Sequence, residues 1–133
     1  MPALNILLVE DNEADISLAE QAIQDSKLNS QVTAARSGRE AAQACHEPPQ
    51  PFDLLLLDIG LPDLDGLDAL DEMKQQSWQD NTVVVALTGN RDPAFIHMAR
   101  ERGVHALLTK PLNVNDLVQV LKQNGFFMEL VRT

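Results

Sequence analysis

Four short apolar stretches of this chain lead into residues able to handle a metal ion or a phosphoryl group. Leu4 to Val9 is followed by Glu10-Asp11, and Leu54 to Leu57 by Asp58. Thr82 to Leu87 runs into Thr88-Gly89, and Val104 to Leu108 into Thr109-Lys110-Pro111. If these are parallel strands, all their ends emerge on one edge, and Glu10, Asp11, Asp58, Thr88 and Lys110 converge there. Ligands of open α/β sheets bind at that edge. Three carboxylates held together repel unless a cation stands among them. A hard divalent ion fits, and Mg2+ suits a site of few carboxylates completed by waters and a phosphoryl oxygen. The Thr88 hydroxyl and the Lys110 ammonium add two donors for that group. The chemistry these residue types permit is attack by Asp58 on phosphorus, giving an acyl phosphate.

The elements that must position them are legible in the spacing of apolar residues. LNILLV, LLLL and TVVVAL are apolar on both faces and rich in branched residues, as strands of a sheet covered on both sides are. Gln31 to Ala35 and Val104 to Leu108 read as weaker strands. Helical spacing recurs at Ile16, Ala19 and Ile23, and again at Val114, Leu117, Val118 and Leu121. A middle helix is expected from Leu67 to about Gln76. Another is expected from Pro93 to Arg102, with Asp92 as N-cap, Pro93 in the first turn and Gly103 as C-cap. Ser37 or Gly38 opens a helix that ends before the Pro48-Pro49-Gln50-Pro51 loop. Strand and helix alternate throughout, which predicts a parallel sheet with helices on both faces and right-handed crossovers. Residues 1–124 are expected to form one domain. Residues 125–133, GFFMELVRT, are left as an apolar tail with no room for an attached effector.

Composition narrows the class. A chain of 133 residues is one domain of ordinary size. With 20 acidic and 10 basic residues, net charge −10, it is a poor direct partner for nucleic acid. Cys45 stands alone, so no internal disulfide is expected, which fits a reducing compartment. No apolar run approaches the roughly 20 residues of a membrane helix. The opening MPALNILLVED lacks the basic segment of a signal peptide. A soluble cytoplasmic protein with no membrane contact is expected.

Taken together, the acid pair after the first strand, D-x-x-x-P-x-x-D-G after the third, Thr after the fourth and Lys-Pro after the fifth resemble the receiver domain of two-component response regulators. Each motif alone is weak, whereas all in register over residues 4 to 124 are specific. The resemblance implies the flavodoxin-like doubly wound sheet of order 2-1-3-4-5, for which a chemotaxis receiver is a standard example. It implies that Asp58 accepts a phosphoryl group from a phosphohistidine on a sensor histidine kinase or phosphotransfer protein. Asp11 would ligate Mg2+ directly, Glu10 through a water, and Gly60 through its backbone carbonyl, with Asp58 completing the set. Lys110 would pair with the phosphoryl oxygens and Thr88 would move to meet them. Lys110-Pro111 would be a cis peptide, Gly66 would close the loop beneath the acceptor and Pro62 would stiffen it. The opening ILLVEDNEADISLAEQAI is most similar to small single-domain receivers, including those paired with bacterial phytochromes.

Three positions depart from the usual receiver pattern. Leu107 stands where Tyr or Phe commonly turns inward on activation. Gly60 offers no side chain to shield a phosphoryl group, and Asn90 is polar enough to orient a water. Gly60 also argues against a haloacid-dehalogenase-like phosphatase or mutase, which places a general acid two residues after its Asp nucleophile. No enzyme acting on external phosphoesters is expected, only a protein that catalyses its own phosphorylation and dephosphorylation. It could signal by docking a downstream partner, as a homodimer or with another protein, or serve as a phosphate sink or phosphorelay intermediate. The fourth helix, fifth strand and fifth helix of the resembled fold hold Phe95, Ile96, Leu107 and Val120, some of which must be core, and that face with the tail is the expected docking surface. His46, His97 and His105 share no metal-ligand spacing and read as surface or packing residues. Cys45 reads as a small buried or half-buried hydrophobe, and Trp78 as a packing or rim residue after a helix end.

Overall fold

Leu4–Val9, Leu54–Asp58 and Val83–Leu87 extend because their residues can be buried on both sides, and these three strands are buried without interruption, whereas Ala106–Leu108 is half-buried. The computed structural model describes residues 4–25, 29–46, 52–58, 82–88, 93–109 and 112–123. In chain order these hold β1 (Leu4–Val9), α1 (Glu13–Asp25), β2 (Ser30–Ala35), α2 (Gly38–His46), β3 (Leu54–Asp58), β4 (Val83–Leu87), α3 (Pro93–Glu101), β5 (Ala106–Leu108) and α4 (Val114–Gln123). The helix expected over Leu67 to Gln76, Asp92, Trp78, and the tail 125–133 lie outside the described residues.

All neighbouring strands pair in parallel, in the order β2-β1-β3-β4-β5. Side chains alternate between the two faces of the sheet. Leu7, Val9, Leu55, Leu57, Val84 and Ala86 pack with Ala41, Ala42 and Cys45 of α2 and Ala99 of α3. Ile6, Leu8, Leu54, Leu56, Val85 and Leu87 pack with Ile16, Ala19 and Ile23 of α1 and Leu117, Val120 and Leu121 of α4. The fold is therefore doubly wound, as the alternation of elements predicts. Val120 is one of the residues of the expected docking region that serve the core, because α4 turns its Leu117-Val120-Leu121 stripe onto the sheet.

The edge opposite the strand ends is laced by polar contacts. Asn5 N–H donates to Asp53 Oδ2 at 2.8 Å, Asp53 N–H donates to the Asn5 carbonyl at 2.8 Å, and the Thr82 hydroxyl donates to the Phe52 carbonyl at 2.6 Å. Helix ends follow their local chemistry. Ser37 caps α2 by accepting the Glu40 N–H on Oγ at 3.1 Å. Gly103, with φ 98°, closes α3 in the left-handed region, and Val104 N–H turns back to the Ala99 carbonyl.

That turn shortens the fifth strand. It begins at Ala106 rather than Val104, because Val104 is still closing the helix and His105 bonds to Val84 through both backbone and ring. The His105 N–H donates to the Val84 carbonyl at 2.8 Å, while Val84 N–H donates to Nδ1 at 2.9 Å. An imidazole replaces a strand partner. Cys45 is buried as expected, and burial pushes its thiol up to about 11.

Candidate functional site

The parallel register brings the strand ends together from the backbone outward. Val9 pairs with Leu57, so Glu10 and Asp58 occupy successive positions at the ends of adjacent strands. Asp58 is still within β3 and pairs with Leu87 of β4, the residue before Thr88. Thr88 N–H donates to the Leu108 carbonyl at 3.0 Å, which ties the end of β4 to the end of β5. Thr109 follows, and Lys110 lies outside the described residues, as does Gly60.

One carboxylate oxygen each from Glu10, Asp11 and Asp58 lies within 4.8 Å of the others. Glu10 is only 2% exposed and Asp58 8%, whereas Asp11 is exposed. Two buried carboxylates are costly unless their charge is compensated. Their donor set is all oxygen and anionic, and the exposed third acid leaves a side open to water. This fits Mg2+, which keeps several waters when it binds carboxylates. The triad expected from the strand ends is thus brought together, with Thr88 buried at the neighbouring strand end.

One residue that positions the site was not singled out from the sequence. Asn12 N–H donates to Glu10 Oε1 at 3.1 Å, and its own Oδ1 accepts the Asp15 N–H at 3.0 Å, capping α1. Asn followed three residues later by Asp, at the head of an apolar helical pattern, is a legible cap signal. The same edge carries a small cleft lined by Leu8, Glu10, Asp15, Leu18, Leu87 and Leu112. Leu18 is 55% exposed, an apolar side chain in water beside the acids.

Compared with known proteins, the chain matches the response regulator receiver domain over residues 6–122. It belongs to that family, the receiver domain of two-component systems. It is 38% identical over 126 residues to the aerobic respiration control sensor protein ArcB of Escherichia coli (strain K12), covering 92% of this chain but 15% of that protein. The chain thus spans a small part of the length of that relative. To the response regulator Rcp1 of Synechocystis sp. (strain ATCC 27184 / PCC 6803 / Kazusa) it is 31% identical over 137 residues, covering 98% of this chain and 92% of Rcp1. Among solved structures, the bacteriophytochrome response regulator AtBRR superposes with a TM-score of 0.78 at 32% identity, covering 96% of each chain. The receiver domain of sensor histidine kinase PA1611 from Pseudomonas aeruginosa PAO1, which holds a magnesium ion in its active site cleft, superposes with a TM-score of 0.77 at 28% identity. That match covers 92% of this chain and 97% of the other.

Proposed function

We propose that this protein is a response regulator that accepts a phosphoryl group on Asp58 in a Mg2+-dependent reaction. The observation that carries the reading is the grouping of Glu10, Asp11 and Asp58 at adjacent parallel strand ends, with carboxylate oxygens within 4.8 Å of one another. An Asp58 oxygen attacks the phosphorus of a phosphohistidine on a sensor histidine kinase or phosphotransfer protein, the bond from phosphorus to the imidazole nitrogen breaks, and an acyl phosphate results. Asp11, Glu10, Asp58 and the Gly60 carbonyl would hold the ion, which when bound neutralises charge on the phosphoryl oxygens. Thr88 and Lys110 supply the remaining donors.

The product is a switched state read by a docking partner in the cytoplasm. The protein turns over no external substrate. Docking uses the face built from α3, β5 and α4 together with residues 125–133, and a homodimer is one form it takes. Ile96 and Leu107 are half-buried there and keep apolar surface available. Sedimentation of the full chain and of a version ending at Asn124, with and without beryllofluoride and Mg2+, checks this. The expected result is self-association that the truncation weakens; monomers throughout, with unchanged kinase binding, would remove the role of the tail. A second reading, as a phosphorelay intermediate or phosphate sink, is supported by the likeness to a segment of the sensor protein ArcB.

The decisive experiment is labelling by acetyl phosphate. The unaltered protein should acquire acid-stable, base-labile phosphate only with Mg2+, and Asp58→Asn should acquire none while melting as a folded domain. Equal labelling of the Asn variant would refute the assignment.

A further inference from the structure

Beyond this site, the sheet has an outer margin at β2 that the phosphoryl chemistry does not use. The hydrogen bonds from Leu4 N–H to the Asn29 carbonyl and from Glu10 N–H to the Ala35 carbonyl fix the direction of every backbone group in this strand. In a parallel ladder, alternate residues of a strand bond to the same neighbour. With Leu4 opposite Ser30 and Val9 opposite Ala35, the odd-numbered residues of β2 face β1. Val32 and Ala34 therefore direct their N–H and C=O groups away from the sheet. Among the described residues β2 is the last strand on that side.

Edges of this kind are usually blunted by charge, proline or a bulge. The sequence SQVTAA contains no charge and no proline, although the chain as a whole carries 20 acids and 10 bases. Beside the edge, between β2 and α1, lies a groove of about 600 Å³. Ile23 and Val32 give it apolar lining, and Glu20, Gln21, Gln24 and Ser30 give it polar lining. Gln21 Nε2 is already committed to Asp25 Oδ1 at 2.8 Å, and Arg36 is paired with Glu13 while also lying within electrostatic reach of Glu20. Glu20 adds negative charge to a chain of net charge −10.

We propose that the outer edge of β2 and the adjoining α1 groove form a docking site for an extended, basic peptide segment that adds a strand to the sheet. Strand addition takes affinity from main-chain hydrogen bonds and specificity from alternate side chains. Here one alternate side chain would rest on Ile23 and Val32 while a lysine or arginine approaches Glu20. A second copy of this chain fits less well, because joining two edges would bring two chains of charge −10 together.

The test is titration of the isotope-labelled full chain with the acetylated, amidated peptide Lys-Val-Thr-Val-Thr-Lys, followed by amide shifts and hydrogen exchange. The expected response is confined to residues 30–34 and the α1 residues from Ser17 to Gln24, with slowed exchange at Val32 and Ala34. The same peptide N-methylated at alternate residues should bind about tenfold more weakly. Val32→Pro removes an outward donor and no ladder bond, so it should weaken binding by a similar factor while the domain stays folded. Glu20→Lys, which leaves the strand untouched, should weaken this peptide and strengthen one with Glu in place of Lys. An unresponsive edge, a response centred on Glu10 and Asp11, indifference to N-methylation, or pairing of β2 with a second copy would each overturn the proposal.

Discussion

Asn12 N–H donates to Glu10 Oε1 at 3.1 Å, so the most buried acid of the site is held by the residue that also caps α1. The bond comes from the backbone, whereas the cap comes from the side chain. The two roles can therefore be separated by substitution.

Clustered carboxylates store repulsion that a cation relieves, so Mg2+ should stabilise the protein by mass action, about 3 kcal/mol when its concentration is about 100 times Kd. Asp11→Ala should lose most of that response and melt slightly higher without metal, since a like charge is gone. Asn12→Ala should behave differently: it should cost about 1 kcal/mol of stability through the lost cap and keep the Mg2+ response. Thermal melts of the three proteins with and without Mg2+ decide this. A melting temperature of the unaltered protein that ignores Mg2+ would sink the metal site.

His105 offers a test of the β4–β5 junction. Its Nδ1 accepts the Val84 N–H at 2.9 Å. His105→Ala should destabilise by about 1 kcal/mol and speed hydrogen exchange at Val84, whereas His105→Asn, which retains an acceptor, should recover part of both. Unchanged exchange at Val84 in the Ala variant would show that the ring bond carries no weight.

Cys45 makes a pH prediction. Burial raises the thiol from its ordinary 9.0 to about 11, so the folded state disfavours the thiolate. Below pH 9 both states hold the proton and stability is unaffected. Between pH 9 and 11 the unfolded state releases its proton first, and stability falls as pH rises. Cys45→Ala should flatten that part of the profile, measured by urea unfolding, and the native thiol should resist alkylation at pH 8 until the chain unfolds.

Much of this was legible in the sequence for identifiable reasons. LLLL and VVVAL can be buried on both faces only inside a covered sheet, and the acids that end them fall at its carboxyl edge. Glu10, Asp11 and Asp58 were therefore readable as a set. The start of β5 was not readable, because Val104 is a strand former that here serves the Gly103 turn, and His105 makes a ring-to-backbone bond. Such contacts depend on what stands opposite, here Val84, and periodicity along one strand cannot report it. The role of Asn12 was readable in principle from its offset to Asp15. Its bond to Glu10 was not, since that depends on how the chain bends between β1 and α1.

Leu54 and Leu55 are neighbours in the chain, yet they belong to different interiors, one lined by α1 and α4 and the other by α2 and α3. A continuous layer of backbone separates the two. Damage to one side, such as Ile23→Ala, and damage to the other, such as Leu55→Ala, should then sum without interaction, since the side chains share no cavity and no partner. The protein can be repacked, or can drift over generations, one half at a time, while the acids at the rim keep their spacing because the sheet that sets it belongs to both halves.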